Sequence, residues 1–114
     1  MPRRLLAQLR PAATSAVTLF SPTTNRPYSL DLIVATNNTA HSVNITMYHD
    51  AAGNTYDDTT CVLATTPLKA GETLQYVLSV GLADYRSAGG LGVKTSIADS
   101  VNFTVYGKIE GESI

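Results

Sequence analysis

The sequence predicts an all-β chain: an antiparallel β-sandwich, jelly-roll or immunoglobulin-like, of seven or eight strands, with an extended or partly helical N-terminal arm. Three observations predict it. Short runs of alternating apolar and polar residues recur with turn residues between them. Fifteen threonines supply branched side chains that suit a pleated, half-exposed surface. Beyond the first ten residues no apolar period of about 3.6, the signature of an amphipathic helix, is sustained.

Residues 1–16 form the arm. Leu5, Leu6 and Leu9 fit one face of a short helix, which would be marginal in water without a partner. Val17 and Leu19 open a first strand that reaches Phe20 and stops at Pro22. From Tyr28 to Thr36 the alternation puts Tyr28, Leu30, Leu32 and Val34 on one face, which is expected to be the core face. Asn37-Asn38-Thr39-Ala40 is a turn, and Val43, Ile45 and Met47 resume the alternation, so the two runs are expected to pair as a hairpin. A turn over 50–54 leads to a polar stretch and then to Cys61–Thr66, ended by Pro67. Lys69-Ala70-Gly71-Glu72 turns the chain into Leu74, Tyr76, Leu78 and Val80. Residues 82–86 fit one helical turn. Gly89-Gly90 precedes a strand with Leu91 and Val93. Asp99-Ser100 turns into the last strand, where Val101, Phe103 and Val105 face inward. The sandwich is expected over 17–110, with residues 111–114 as a tail.

At 114 residues the chain builds one modest core. Charged residues are only 15%, against about 25% in ordinary domains, so much of the surface is neutral and polar. The net charge of −1 hides an asymmetry: residues 1–22 carry Arg3, Arg4 and Arg10 and no acid, and the remainder has five basic against nine acidic residues. An arm near +3 beside a body near −4 favours contact with an acidic protein surface over a nucleic-acid footprint. One cysteine, Cys61, excludes an intramolecular disulfide framework. No apolar run approaches the length of a bilayer span, and the start reads as neither a membrane helix nor a secretory signal.

Chemistry-bearing motifs are sparse. His41 beside a turn and His49 at a strand end are the only candidate bases, and neither belongs to a nucleophile elbow or a metal-ligand pair. No catalytic residue, cofactor or metal site is assigned. Asp50, Asn54, Asp57 and Asp58 could offer oxygens to calcium, but a solvated turn explains the same residues. Three tripeptides, at Asn37, Asn44 and Asn102, fit the glycosylation pattern and are read as strand and turn residues. Of six tyrosines, Tyr28 and Tyr76 fall on core faces, whereas Tyr48 and Tyr106 fall on the opposite faces and become candidates for contact with another chain.

Several segments resemble a family of small virion proteins of tailed bacteriophages. They are Leu6-Ala7-Gln8-Leu9-Arg10-Pro11-Ala12-Ala13-Thr14, Leu19-Phe20-Ser21-Pro22, the run from Leu32 to Asp50, Pro67-Leu68-Lys69-Ala70-Gly71-Glu72, Leu91-Gly92-Val93-Lys94 and Phe103-Thr104-Val105-Tyr106-Gly107. The resemblance implies a sandwich that decorates or cements the head shell, or sits at the neck or tail with a possible grip on host glycans. It further implies a trimer and, as partner, the major capsid protein or another virion protein; the charge split and the lack of a long apolar run add the expectation of no nucleic acid and no membrane. The expected interface residues are Arg3, Arg4, Leu5, Leu6, Leu9, Arg10, Tyr48 and Tyr106: the arginines for carboxylates, the leucines for apolar grooves.

Overall fold

The computed structural model describes residues 4–21, 28–50, 55–82 and 90–109, with side chains to 77 in the third segment and to 108 in the last. Eight strands form two antiparallel four-stranded sheets: β1 (Arg4–Leu9), β2 (Val17–Phe20), β3 (Tyr28–Asn37), β4 (Val43–Asp50), β5 (Cys61–Leu68), β6 (Thr73–Leu82), β7 (Gly90–Thr95) and β8 (Val101–Ile109). Sheet A has the order β1-β8-β3-β6 and sheet B the order β2-β7-β4-β5. Four pairs are nested, β1 with β8, β2 with β7, β3 with β6 and β4 with β5. A long two-stranded ribbon rolled up so that β8 meets β3 and β7 meets β4 gives this order. That is the jelly-roll alternative of the two topologies the sequence allowed.

The rolled ribbon corrects the expected hairpin between the Tyr28 and Val43 runs. β3 lies in sheet A and β4 in sheet B, so residues 38–42 carry the chain across the sandwich. Alternation and a turn signal are the same for a hairpin and for a corner between sheets. What selects the corner is Asn37, which is fully buried. Its Nδ2 donates to the carbonyls of His41 at 2.7 Å, Leu68 at 2.8 Å and Lys69 at 3.1 Å. Its Oδ1 accepts from the Thr39 backbone N–H at 3.0 Å and the Thr39 hydroxyl at 2.8 Å. One side chain thus fastens the end of β3 to the end of β5 in the opposite sheet. Burial also removes Asn37 from use as a glycosylation acceptor.

Inward residues of both sheets fill the core. Val43, Ile45, Met47, Leu91, Val93, Val101, Phe103 and Val105 are buried as the alternation predicts. β3 departs from it. Tyr28 and Leu30 are buried, but so are Ile33 and Ala35, while Leu32 and Val34 are only half-buried. The cause is a β-bulge: between Leu30 and Leu32, β3 advances two residues while β8 advances one, from Gly107 to Tyr106. An extra residue in a strand inverts the facing of everything after it. β1 carries an extra residue against β8 at the same level, between Leu5 and Ala7. Gly107 marks the crossing, because a Cβ there would collide with the Ser29 carbonyl oxygen.

Residues 4–9, assigned from sequence to the arm, take its extended form and pair with β8 as the edge strand of sheet A. The helical form is not adopted, because the bulge turns Leu6 and Leu9 toward the core, against which both pack. Pro67 does not end its strand but lies within β5, an edge strand where a missing N–H costs no ladder bond. The turns at Gly71 and Asp99 form as expected, each with positive φ, 73° and 54°. The expected helical turn at 82–86 falls almost wholly outside the described residues, as do the tail and the loop at 51–54.

Candidate functional site

A jelly roll offers two outer faces and four edge strands to other molecules. Register assigns the face of each residue, because cross-strand partners point the same way. On the outer face of sheet A, Leu5 pairs with Tyr106, Tyr106 with Leu32 and Leu32 with Val77. These four make an apolar row across all four strands. Leu5 is 49% and Val77 79% exposed, with Leu32 and Tyr106 half-buried between them. The next row is Gln8, Thr104, Val34 and Gln75, and the one after that holds Asn102, Thr36 and Thr73. Thr36 and Thr73 share a hydroxyl bond at 3.1 Å, and Arg10 Nε donates to Asn102 Oδ1 at 2.7 Å. On the other side of the apolar row lies the ion pair of Lys108 with Asp31, at 3.9 Å.

The outer face of sheet B is finished by its own chain. Tyr48 and Thr18 both pair with Gly92, leaving a bare backbone strip between two side chains. The Tyr56 ring lies on that strip, so close that a Cβ on Gly92 would stand 2.6 Å from it. Its hydroxyl is 3.1 Å from Thr18 Oγ1, and its ring centroid is 6.1 Å from that of Tyr48. A ring over a strand glycine replaces the missing side-chain contact. Burial here pushes the Tyr48 phenol above its ordinary value, helped by the negative charge of Cys61, Asp58 and Asp57 and opposed by a hydrogen bond with Thr46. Around this latch the face is polar, with Thr46, Lys94, Asn44 and Ser96.

The residues expected at an interface are dispersed by this geometry. Arg4 and Leu5 are exposed at the edge of sheet A, and Arg10 follows at the end of β1. Leu6 and Leu9 are half-buried and pack on the chain's own core. Tyr106 sits in the apolar row. Tyr48 is 6% exposed and is corrected from a contact residue to a covered one, because Tyr56 occupies the space its ring would offer. Arg3 lies outside the described residues. Leu32, Val77 and Tyr56 were missed. Their signal was present as Gly92 and Gly107, glycines inside strands that mark a close approach and a bulge.

Polar chemistry is largely spent on the fold. Asp57 Oδ1 accepts from the backbone N–H and the hydroxyl of Thr59 at 2.9 and 2.5 Å, which holds its carboxyl below the ordinary value. Asp50 Oδ2 accepts from the Thr55 N–H at 2.7 Å. Among the described residues no three acidic, histidine or cysteine side chains gather in the way a metal ion needs; Asn54 lies outside them. His41 is exposed on the corner, and His49 lies on β4 with Nε2 buried and unbonded.

No protein-family model matches the chain, and no curated protein matches it in sequence. Solved structures match its fold. A chain of infectious bursal disease virus, Gx strain, aligns with TM-score 0.55 and 15% identity, covering 99% of this chain and 32% of the other. A chain of the T13 infectious bursal disease virus particle aligns with TM-score 0.52 and 14% identity, over 96% of this chain and 31% of the other. The VP2 subviral particle of the same virus gives TM-score 0.52 and 15% identity, over 97% and 33%. The chain spans about a third of the length of these neighbours. At such identity the likeness is one of fold.

Proposed function

We propose that this chain is a virion structural protein, a jelly-roll subunit that binds the assembled head shell of a tailed bacteriophage as a cement or decoration protein. The observation that carries the reading is the jelly-roll order β1-β8-β3-β6 and β2-β7-β4-β5, in a fold shared across nearly the whole chain with chains from a viral particle. The phage resemblance of the sequence supports it from a separate direction. The reading is structural rather than catalytic, because the carboxylates of Asp50 and Asp57 and the amide of Asn37 are used to cap turns and fasten a corner. The partner is the major capsid protein or another virion protein, the copies associate as a trimer, and neither nucleic acid nor membrane is bound.

A protein that binds the shell and not its dissociated subunits shifts the shell's equilibrium toward assembly by mass action. Several modest contacts per oligomer act together, so each can be weak. The basic edge of sheet A, with Arg4 and Arg10 beside Leu5, is the surface offered to an acidic neighbour.

Cryo-electron microscopy of the native particle tests this. Sandwich-sized density repeated over the outer shell, on the order of hundreds of copies by closed-shell symmetry, is the expected result. Density confined to the neck or tail, at about a dozen copies by ring symmetry, would replace the cement role with a connector role. Absence from the particle would end the virion reading. Because Arg4–Leu9 is a strand of sheet A, deleting residues 2–11 would strip an edge from the sandwich; R4E and R10E test the arm without that damage.

A further inference from the structure

We infer that the outer face of sheet A is a self-complementary surface on which a second copy of this chain packs, face to face, about a two-fold axis parallel to the strands. The inference goes beyond the virion reading and does not need it. It starts from the row Leu5, Tyr106, Leu32, Val77, which spans the sheet and leaves its two end residues 49% and 79% exposed. Contiguous apolar surface of this kind marks a contact site.

The strand order selects the occupant. A two-fold parallel to the strands exchanges β1 with β6 and β8 with β3, and it keeps each row level with itself. Leu5 then lies opposite Val77 of the other copy, and Tyr106 opposite Leu32. In the neighbouring row Gln8 meets Gln75 and Thr104 meets Val34, amide against amide and methyl against methyl. On the far side of the apolar row, Asp31 on β3 comes level with the other copy's Lys108 on β8, so the face's only described ion pair becomes part of a four-charge cluster with alternating sign. Packed sheets lie within about 30° of parallel, which keeps the rows facing.

Size sets the strength. Four strands at about 4.8 Å and three rows at about 6.8 Å make a face of roughly 400 Å², about half of the 800 Å² per partner typical of stable complexes. The pairing is therefore reversible in solution and is held when copies are concentrated on a surface. It also stops at two, because the opposite face is polar and is covered by Tyr56. A three-fold contact would use a different surface.

Sedimentation of the full chain over a concentration series tests the inference. The 12.1 kDa chain should move toward twice its mass as concentration rises into the hundreds of micromolar. V77D alone and L5K alone should each weaken association at least tenfold, and the L5K/V77D double variant should recover to within about threefold, because the new charges face each other across the two-fold. Recovery cannot arise from misfolding. A wild-type chain that stays monomeric up to about 1 mM, or a double variant no better than the singles, overturns the inference. So does a wild-type chain whose sheet A face is covered only by a different virion protein. The sedimentation results do not bear on whether the chain is in the particle, which microscopy decides separately.

Discussion

The two outer faces of this sandwich are made from the same kind of strand and finish differently. Sheet B has a gap at Gly92, and the chain fills it with Tyr56, whose hydroxyl reaches Thr18 on the next strand. Sheet A has no such cover among the described residues, and its apolar row runs from edge to edge. The difference teaches that exposure of an apolar residue is informative only once the chain's own loops have been counted. Tyr48, an outward strand residue, is satisfied within the molecule; Val77, also outward, is not.

Breaking the joint between the sheets would disturb both faces at once. N37A takes its donor from the Leu68 carbonyl and its acceptor from the Thr39 N–H, while the carbonyls of Lys69 and His41 keep the Glu72 N–H and the Thr39 hydroxyl, and it should cost about 3 kcal/mol, at about 1–3 kcal/mol for each buried polar group left unpaired. Urea unfolding should show a lower midpoint with an unchanged slope. The next largest effect belongs to sheet B: G92V drives a side chain into the Tyr56 ring and should cost about 2–3 kcal/mol as an overpacking change. Loss of near-ultraviolet tyrosine dichroism would accompany it. Y56A removes the cover without a clash and should cost about 1–2 kcal/mol of apolar burial, with Y56F well below that.

On sheet A the corresponding substitution is quiet. V77T should leave stability within about 0.5 kcal/mol, and a larger loss in thermal unfolding would mean that Val77 supports the fold rather than a partner. The smallest effects are those of pH, and both report on sheet B. Tyr48 has a folded value above the ordinary 10.0, so the folded state keeps its proton longer. Its contribution is fully present below 10.0 and is lost as pH rises through the higher folded value, and Y48F should flatten that alkaline limb. Asp57 has a folded value below the ordinary 3.8. Its contribution is present above 3.8 and is lost as pH falls through the folded value, and D57N should blunt that slight acid loss. Reversal of either slope would contradict the assigned environments.

Much of the fold was legible along the chain. The inward triples Val43, Ile45, Met47 and Val101, Phe103, Val105 alternate without interruption, and nothing in the structure shifts their phase. The turns at Gly71 and Asp99 were legible because positive φ needs residues of their kind. The contact surfaces were legible only in part. Tyr106 and Leu5 stand where an outward reading puts them, but Tyr48 does not offer a surface, since a residue eight positions later in sequence folds back over it.

By itself the sequence determined that the chain is β, roughly where its strands and turns lie, which alternating residues fill the core and that its basic charge gathers at one end. These are local properties, set by the two-residue period of a strand and by backbone preference at turns. Only the tertiary structure decided that consecutive strands cross between sheets instead of pairing, that residues 4–9 close the edge of sheet A, and that Leu32 faces outward. Each of those depends on a partner distant in sequence: Leu68 and Lys69 hold the corner at Asn37, Phe103 to Gly107 hold β1, and the approach of Ser29 to Gly107 sets the bulge. Alternation carries the period of a strand but not its phase after an extra residue, and the apolar row of sheet A exists because that phase changed.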